Sequence, residues 1–280
     1  MAVHRQQWDG GWWEVEQALP DARLREHVVG AYVAWREQSV APTVRRECAA
    51  AIVPLIVNFD AAYTIASPAH PTAQRASFTA GVYDTWVDVT GATSADAVQV
   101  NLTPLAAQRV LGIPMARLAN QSCGIDDALG ASGRAFTEHL GNAATFAERV
   151  RLIDAFLLAR LARTPVTARA VQQAYRTLVE TRGQVRIEQL QHDTGWSAAR
   201  LGAAMREATG FTPKRLAGIL RFEHAVQLAR RPGAPSWSHI AAACGYADHA
   251  HLTRAFHRYA GEAPSTWARR VSIALPNAER

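Results

Sequence analysis

A pattern that occurs twice in the last third of the chain restricts the fold more than any other feature. Its first copy runs Leu190, Gly195-Trp196, Leu201, Met205, Gly210 and Pro213; its second runs Ile240, Gly245-Tyr246, Leu252, Phe256, Gly261 and Pro264. The offset is 50 residues up to the Gly-aromatic pair and 51 from Leu201 and Leu252 onward, so one residue is inserted at the start of the second helix of the second copy. Each copy reads as helix, glycine turn, helix, glycine stop and proline-started helix, which is the order of a helix-turn-helix. Two in tandem imply a protein that reads duplex DNA.

The charge distribution agrees with this reading. Residues 1–165 carry 14 basic against 16 acidic side chains, a net of −2, whereas residues 166–280 carry 16 against 8, a net of +8. The basic excess lies where the doubled motif lies, as a polyanion partner requires. All basic residues but Lys214 are arginines, which chelate phosphate or guanine with two parallel hydrogen bonds. Cys48, Cys123 and Cys244 are odd in number and widely spaced, which argues for a reducing compartment and against a disulfide framework or thiolate metal site. Met1 to Glu16 has no signal-peptide core. The longest apolar run, Cys48 to Val57, is interrupted by Pro54 and falls far short of the ~20 residues that span a bilayer. A soluble, cytoplasmic chain without membrane association is expected.

At this length two domains are expected. The first, residues 1–165, reads as a β-rich barrel or sandwich with a helical extension. Val28–Trp35 and Ile52–Phe59 have strand composition, and Thr85–Thr90 and Ala97–Leu102 alternate with period two, placing Val98, Val100 and Leu102 on one face. Gly and Pro clusters at 67–71, 81 and 91 punctuate these runs. From Thr103-Pro104 the pattern turns helical up to Gly112, and a second helix spans Thr145 to Arg163. Thr164–Thr167, with Pro165, is the expected linker to an all-helical second domain, 166–275.

Within the first motif, Ile187 and Leu190 anchor the leading helix, Gly195 makes the turn and Ser197 caps the second helix. Leu201, Met205 and Ala208 point inward, leaving Ala199, Arg200, Gly202, Ala203 and Arg206 outward. A helix from Thr212-Pro213 to about Arg231 follows, with Leu216, Ile219, Phe222, Val226 and Ala229 as its buried stripe. Its ~27 Å length suits a connector that seats two reading helices in grooves ~34 Å apart on one DNA face. In the second motif Ile240 and Ala243 are expected inside, and Leu252, Phe256 and Tyr259 form the inner face of a helix from Asp248 to Ala260. His249, Ala250, Thr253, Arg254 and His257 then face outward. Thr253 and Arg254 suit base edges, and Arg258, Arg206 and Arg269 suit phosphates.

These residues resemble the DNA-binding domain of AraC/XylS-type transcriptional regulators over Arg186–Arg270. The specific part is Ile240-Ala-Ala-Ala-Cys-Gly-Tyr-Ala-Asp-His-Ala-His-Leu-Thr-Arg-Ala-Phe256, followed by Gly261 and Pro264. Trp12-Trp13-Glu14 and the stretch from Gln99 to Met115 are similar to actinobacterial members of the family. The resemblance implies promoter DNA as partner, with RNA polymerase, a small-molecule effector held by residues 1–165 and a homodimer as further partners it leaves open. One departure matters: Ala199, Gly202 and Ala203 stand where family members usually carry larger polar or aromatic side chains, and Met205 replaces the usual core Phe. The first motif is therefore expected to position the protein through Ser197, Arg200 and Arg206, while the second reads more of the sequence.

Other readings compete poorly. No phosphate loop, nucleophile elbow, zinc-protease or dinucleotide motif is present, so no enzyme activity and no cofactor are expected. DNA-repair methyltransferases with an AraC-like segment need a reactive Pro-Cys-His cysteine, and neither Glu47-Cys48-Ala49 nor Ser122-Cys123-Gly124 fits. His249 and His251 lie about 200° apart around a helix, so no metal site is expected. Trp8, Trp12 and Trp13 are expected in the core or between domains rather than in a ligand pocket. Two alternatives stand beside the effector-responsive regulator: residues 1–165 acting only in oligomerisation or protein interaction, and a nonspecific nucleoid-type binder.

Overall fold

The computed structural model describes residues 2–274, so the expected outer limits of the two domains, Met1 and Leu275, lie outside the described residues. The strands among them pair antiparallel throughout, in two sheets. The larger sheet has the order β1 (Ala2–Trp8), β2 (Gly11–Ala18), β3 (Tyr32–Ser39), β10 (Ser94–Leu102), β5 (Val53–Asn58), β8 (Phe78–Ala80), β11 (Ser122–Gly124). The smaller has the order β4 (Val44–Glu47), β9 (Val87–Thr90), β6 (Tyr63–Ser67), β7 (His70–Arg75). The alternation in β10 explains the layering. Val98, Val100 and Leu102 face a core shared with the helices. Ala95 and Ala97, from the other parity, face a small apolar layer with Ile56, Tyr63, Ile65, Phe78 and Val87 from both sheets.

The sheets do not close into a barrel, which corrects one of the two architectures expected. β1 pairs with β2 alone, and most of its residues are exposed, so the larger sheet ends there in an open edge. The run Val28–Trp35 is not one strand. Gly30 takes φ +74, Val28 contributes only a bridge to Leu102, and regular pairing starts at Tyr32. Residues 70–71, expected as punctuation, open the edge strand β7, a position where Pro71 breaks no central ladder.

The helices are α1 (Pro104–Leu111), α2 (Ile125–Leu129), α3 (Ala131–Asn142), α4 (Phe146–Arg163), α5 (Arg169–Glu180), α6 (Ile187–Thr194), α7 (Ala198–Thr209), α8 (Pro213–Ala229), α9 (Trp237–Ala243), α10 (His249–Ala260) and α11 (Pro264–Ala274). The Thr103 side chain accepts from Ala106 N at the start of α1, and Gly112 ends that helix with φ +73. α4 buries Phe146, Ile153, Leu157 and Leu161 as its spacing dictates. The segment between α4 and α5 is tied down, because Thr164 Oγ1 donates to Arg109 O at 2.9 Å. None of the described helices is long and apolar enough to cross a membrane.

α8 departs from the single buried stripe expected of it. Leu216, Ala217, Ile219, Leu220, Phe222, Ala225 and Leu228 are all buried, whereas Val226 and Ala229 are only partly so. The reason is its place as a spine, touched by α5, α7, α9 and α10 together. One hydrophobic core runs from Ala18 in β2 to Trp267 in α11, without a break between sheets and helices.

Candidate nucleic-acid interface

Local chemistry builds both reading helices. α6 ends on Gly195, whose φ of +68 turns the chain. Ser197 then caps α7 by accepting from Arg200 N at 3.4 Å. Leu201, Met205 and Ala208 are buried, which leaves Ser197, Ala199, Arg200, Ala203 and Arg206 exposed as expected. Gly202 is half-buried, yet a Cβ placed there meets nothing within 4 Å, so this glycine serves no packing need. The Arg200 guanidinium sits 4.0 Å from the centre of the Trp196 ring, which holds its charge at the exposed end of α7.

The second motif repeats the plan with more polar side chains. Ile240, Ala241 and Cys244 are buried and Ala243 is exposed, a correction to the expected inner face of α9. Positions 240, 241 and 244 share one side of a 3.6-residue helix, and 243 does not. After Gly245, at φ +72, Asp248 caps α10 by accepting from His251 N at 2.6 Å. Leu252, Phe256 and Tyr259 face inward, with Phe256 packed edge-on against Phe222, Trp237 and Trp267. His249, Ala250, Arg254 and His257 are exposed, while Thr253 is half-buried and its hydroxyl donates to His249 O at 2.9 Å. His251 faces sideways, with its Nδ1 accepting from Ala247 N at 3.4 Å. No three His, Cys, Asp or Glu side chains among the described residues converge in a metal-binding group.

Residues 190–270 match the family model described as a helix-turn-helix domain. The C-terminal domain is an AraC-type helix-turn-helix domain. The match spans α7 and α10 together, the two helices that the tandem pattern predicts as readers of DNA. No curated protein matches it. Among solved structures, the chain is similar to ToxT from Vibrio cholerae at 9% identity and a TM-score of 0.49, over 85% of this chain and 97% of that one. A structure of unsaturated fatty acid-bound ToxT from Vibrio cholerae aligns at 10% identity and a TM-score of 0.47, over 87% and 99%. The AraC-like transcriptional activator CuxR aligns at 16% identity and a TM-score of 0.33, over 83% and 88%.

The sheet domain reaches the AraC-type domain through residues that sequence reasoning missed. Arg258, expected on a phosphate, donates from Nη2 to Asp84 Oδ2 at 2.7 Å, and Arg215 of α8 bonds the same carboxylate. Asn120, at φ +60, fixes that carboxylate: its Nδ2 donates to Asp84 Oδ1 and its Oδ1 accepts from Asp84 N, each at 2.8 Å. Burial opposes the charge on Asp84, but the hydrogen bonds from Arg258, Asn120 and Arg215 outweigh it and hold the pKa below the usual carboxylate value. The loop between β4 and β5 makes two further contacts: Ala49 N donates to Tyr259 O at 2.9 Å, and Ala51 N donates to Glu223 Oε1 at 2.8 Å. No local pattern marks Asp84, Asn120 or Glu223, because their partners are far away in the chain.

A cavity of about 240 Å³ lies between the two sheets, lined by Tyr63, Ile65, Phe78 and Tyr83, with Arg45 and Cys48 at its rim. Trp8, Trp12 and Trp13 lie outside it, on the β1–β2 hairpin, where Trp8 is exposed and Trp12 lies 5.3 Å from the Arg5 guanidinium. None of the three belongs to either buried apolar cluster, so they fill neither the core nor the junction with the AraC-type domain. Burial raises the pKa of Cys48, Cys123 and Cys244, the last to about 11, so none is an activated thiolate.

Proposed function

We propose that this protein is a sequence-specific transcription regulator of the AraC/XylS type, seating α7 and α10 in adjacent major grooves of one promoter duplex, and that a small molecule held between its two sheets modulates it. The observation that carries the DNA reading is the pair of capped helices with opposite exposed chemistry. α7 offers Ser197, Ala199, Arg200, Gly202, Ala203 and Arg206, and α10 offers His249, Ala250, Thr253, Arg254 and His257. Arg254 is exposed in mid-helix and suits a guanine, at ~1–3 kcal/mol of discrimination. Arg200, stacked on Trp196 beside the N-cap, suits a phosphate. The 17-residue α8, ~25 Å long, supports a two-groove grip by a single chain.

Selection from a randomised duplex library tests the division of labour. Arg254→Ala is expected to relax base preference at one position, and Arg200→Ala to weaken all sequences alike. The assignment fails if Arg200→Ala relaxes preference more. The effector half rests on the cavity, whose apolar walls and charged rim suit a small amphipathic molecule. A thermal-shift screen in which Tyr63→Trp abolishes a saturable stabilisation supports it. A shift unaffected by filling the cavity leaves residues 1–165 with an interaction role instead.

A further inference from the structure

The cleft between α8 and α10 is lined by Arg221, His251, Arg254 and Arg258, holds about 250 Å³ and has no acidic residue in its lining. Tyr246 also lines it, buried, with a phenol hydroxyl that makes no hydrogen bond. Three guanidinium groups without a carboxylate in the lining suit an anion. Its Arg258 end is not empty. Asp84 of the sheet domain, itself 4% exposed, reaches Arg258, while the Arg258 side chain remains 52% exposed. We propose that this cleft is a seat for a backbone phosphate of duplex DNA, and that Asp84 occupies its Arg258 end as a phosphate surrogate in the free protein. The proposal rests on the DNA-binding reading above and adds a named phosphate site and its competitor.

The geometry makes the exchange feasible. A buried carboxylate stripped of every cation is costly, but Asp84 holds two. Arg215, on the first turn of α8, and the Asn120 amide keep it satisfied when Arg258 leaves. Arg258 in turn swings from a carboxylate to a phosphate without losing a charge-assisted bond. The sheet domain thus restrains one DNA contact of α10 while leaving the outward residues of that helix accessible.

The test measures binding of the full chain to a duplex enriched by the wild-type protein from a randomised pool, with an unselected duplex as reference. Asp84→Asn preserves size and the Asn120 contact but releases Arg258, and is expected to tighten Kd about fivefold to tenfold. Arg258→Ala is expected to weaken binding and to lower the slope of log Kobs against log salt by about 0.9. The double variant should bind like Arg258→Ala alone. The proposal is overturned if Asp84→Asn binds no more tightly than wild type, if the double variant keeps the gain, or if Arg258→Ala leaves the salt slope unchanged. Should Asp84→Asn not fold, Asn120→Ala, which loosens the carboxylate without removing it, is read the same way: a smaller gain supports the seat and none overturns it. If no duplex is enriched by any form of the protein, the DNA-binding reading itself falls, an outcome separate from a duplex that is enriched but indifferent to Asp84.

Discussion

Gly261 shows how one residue serves both a helix end and a domain contact. It closes α10 at φ +75, and a Cβ there would approach Trp86 Nε1 to 2.5 Å. Trp86 cannot swing aside freely, since the Arg46 guanidinium lies 4.0 Å from the centre of its ring and is paired to Asp88. Gly261→Ala is therefore expected to cost about 2 kcal/mol, part from the left-handed backbone and part from the indole. Urea unfolding measures it. Adding Trp86→Ala to that variant separates the parts: removal of the clash should make the glycine replacement cheaper than in the wild-type background. Equal costs in both backgrounds would show that the indole plays no part.

At the level of elements, the segment between β4 and β5 is the most consequential, because Cys48 and Ala50 line the cavity while Ala49 and Ala51 bond to α10 and α8. Glu223, which receives the Ala51 N–H, is half-buried, and the desolvation lifts its pKa from 4.5 to about 7 against the lowering effect of that bond. Tyr175 of α5 lies within its field and has its own pKa raised by burial and by that carboxylate. A carboxyl that holds its proton more tightly in the native state stabilises most below the ordinary carboxylate pKa. That stability is lost as pH rises through about 7. The loss approaches about 3 kcal/mol. Urea midpoints should fall between about pH 5 and pH 8, and Glu223→Gln should flatten that slope and exceed wild-type stability at the upper end. An unchanged slope in Glu223→Gln would assign the effect to another group.

The same scale explains what the residues disclosed in advance. The boundaries of α7 and α10 were legible because Ser197, Gly210, Asp248 and Gly261 act within four residues of the backbone groups they satisfy. β1 and β2 were not, since a ribbon half-exposed on both faces has no period-two apolar signal. Nor was the wide burial of α8, which depends on four helices packing on it at once, or the engagement of Arg258, which depends on the sheet domain, because local spacing encodes neither. Contacts such as Glu223 with Ala51, 172 residues apart, leave no trace in periodicity.

For the whole molecule, the continuity of the core decides how the chain unfolds. Two regulator domains joined by a loose linker would melt separately. Here Met115, beside α1, lies within 3.3 Å of where a Gly210 Cβ would stand, α1 packs on α7, and Tyr259 and Trp267 belong to the same apolar cluster as Val53 and Leu102. Unfolding either part alone strips apolar surface from the other, at roughly 25 cal/mol per Å² exposed. Calorimetry of the full chain is therefore expected to show one transition, with calorimetric and van't Hoff enthalpies in agreement. Asp84→Asn should lower its midpoint without splitting it, since that change removes a bond at the junction and leaves the apolar contact in place. Two resolved transitions in the wild-type protein would mean that the helices and sheets share a surface rather than a core, and that release of Arg258 to DNA involves movement of the whole sheet domain.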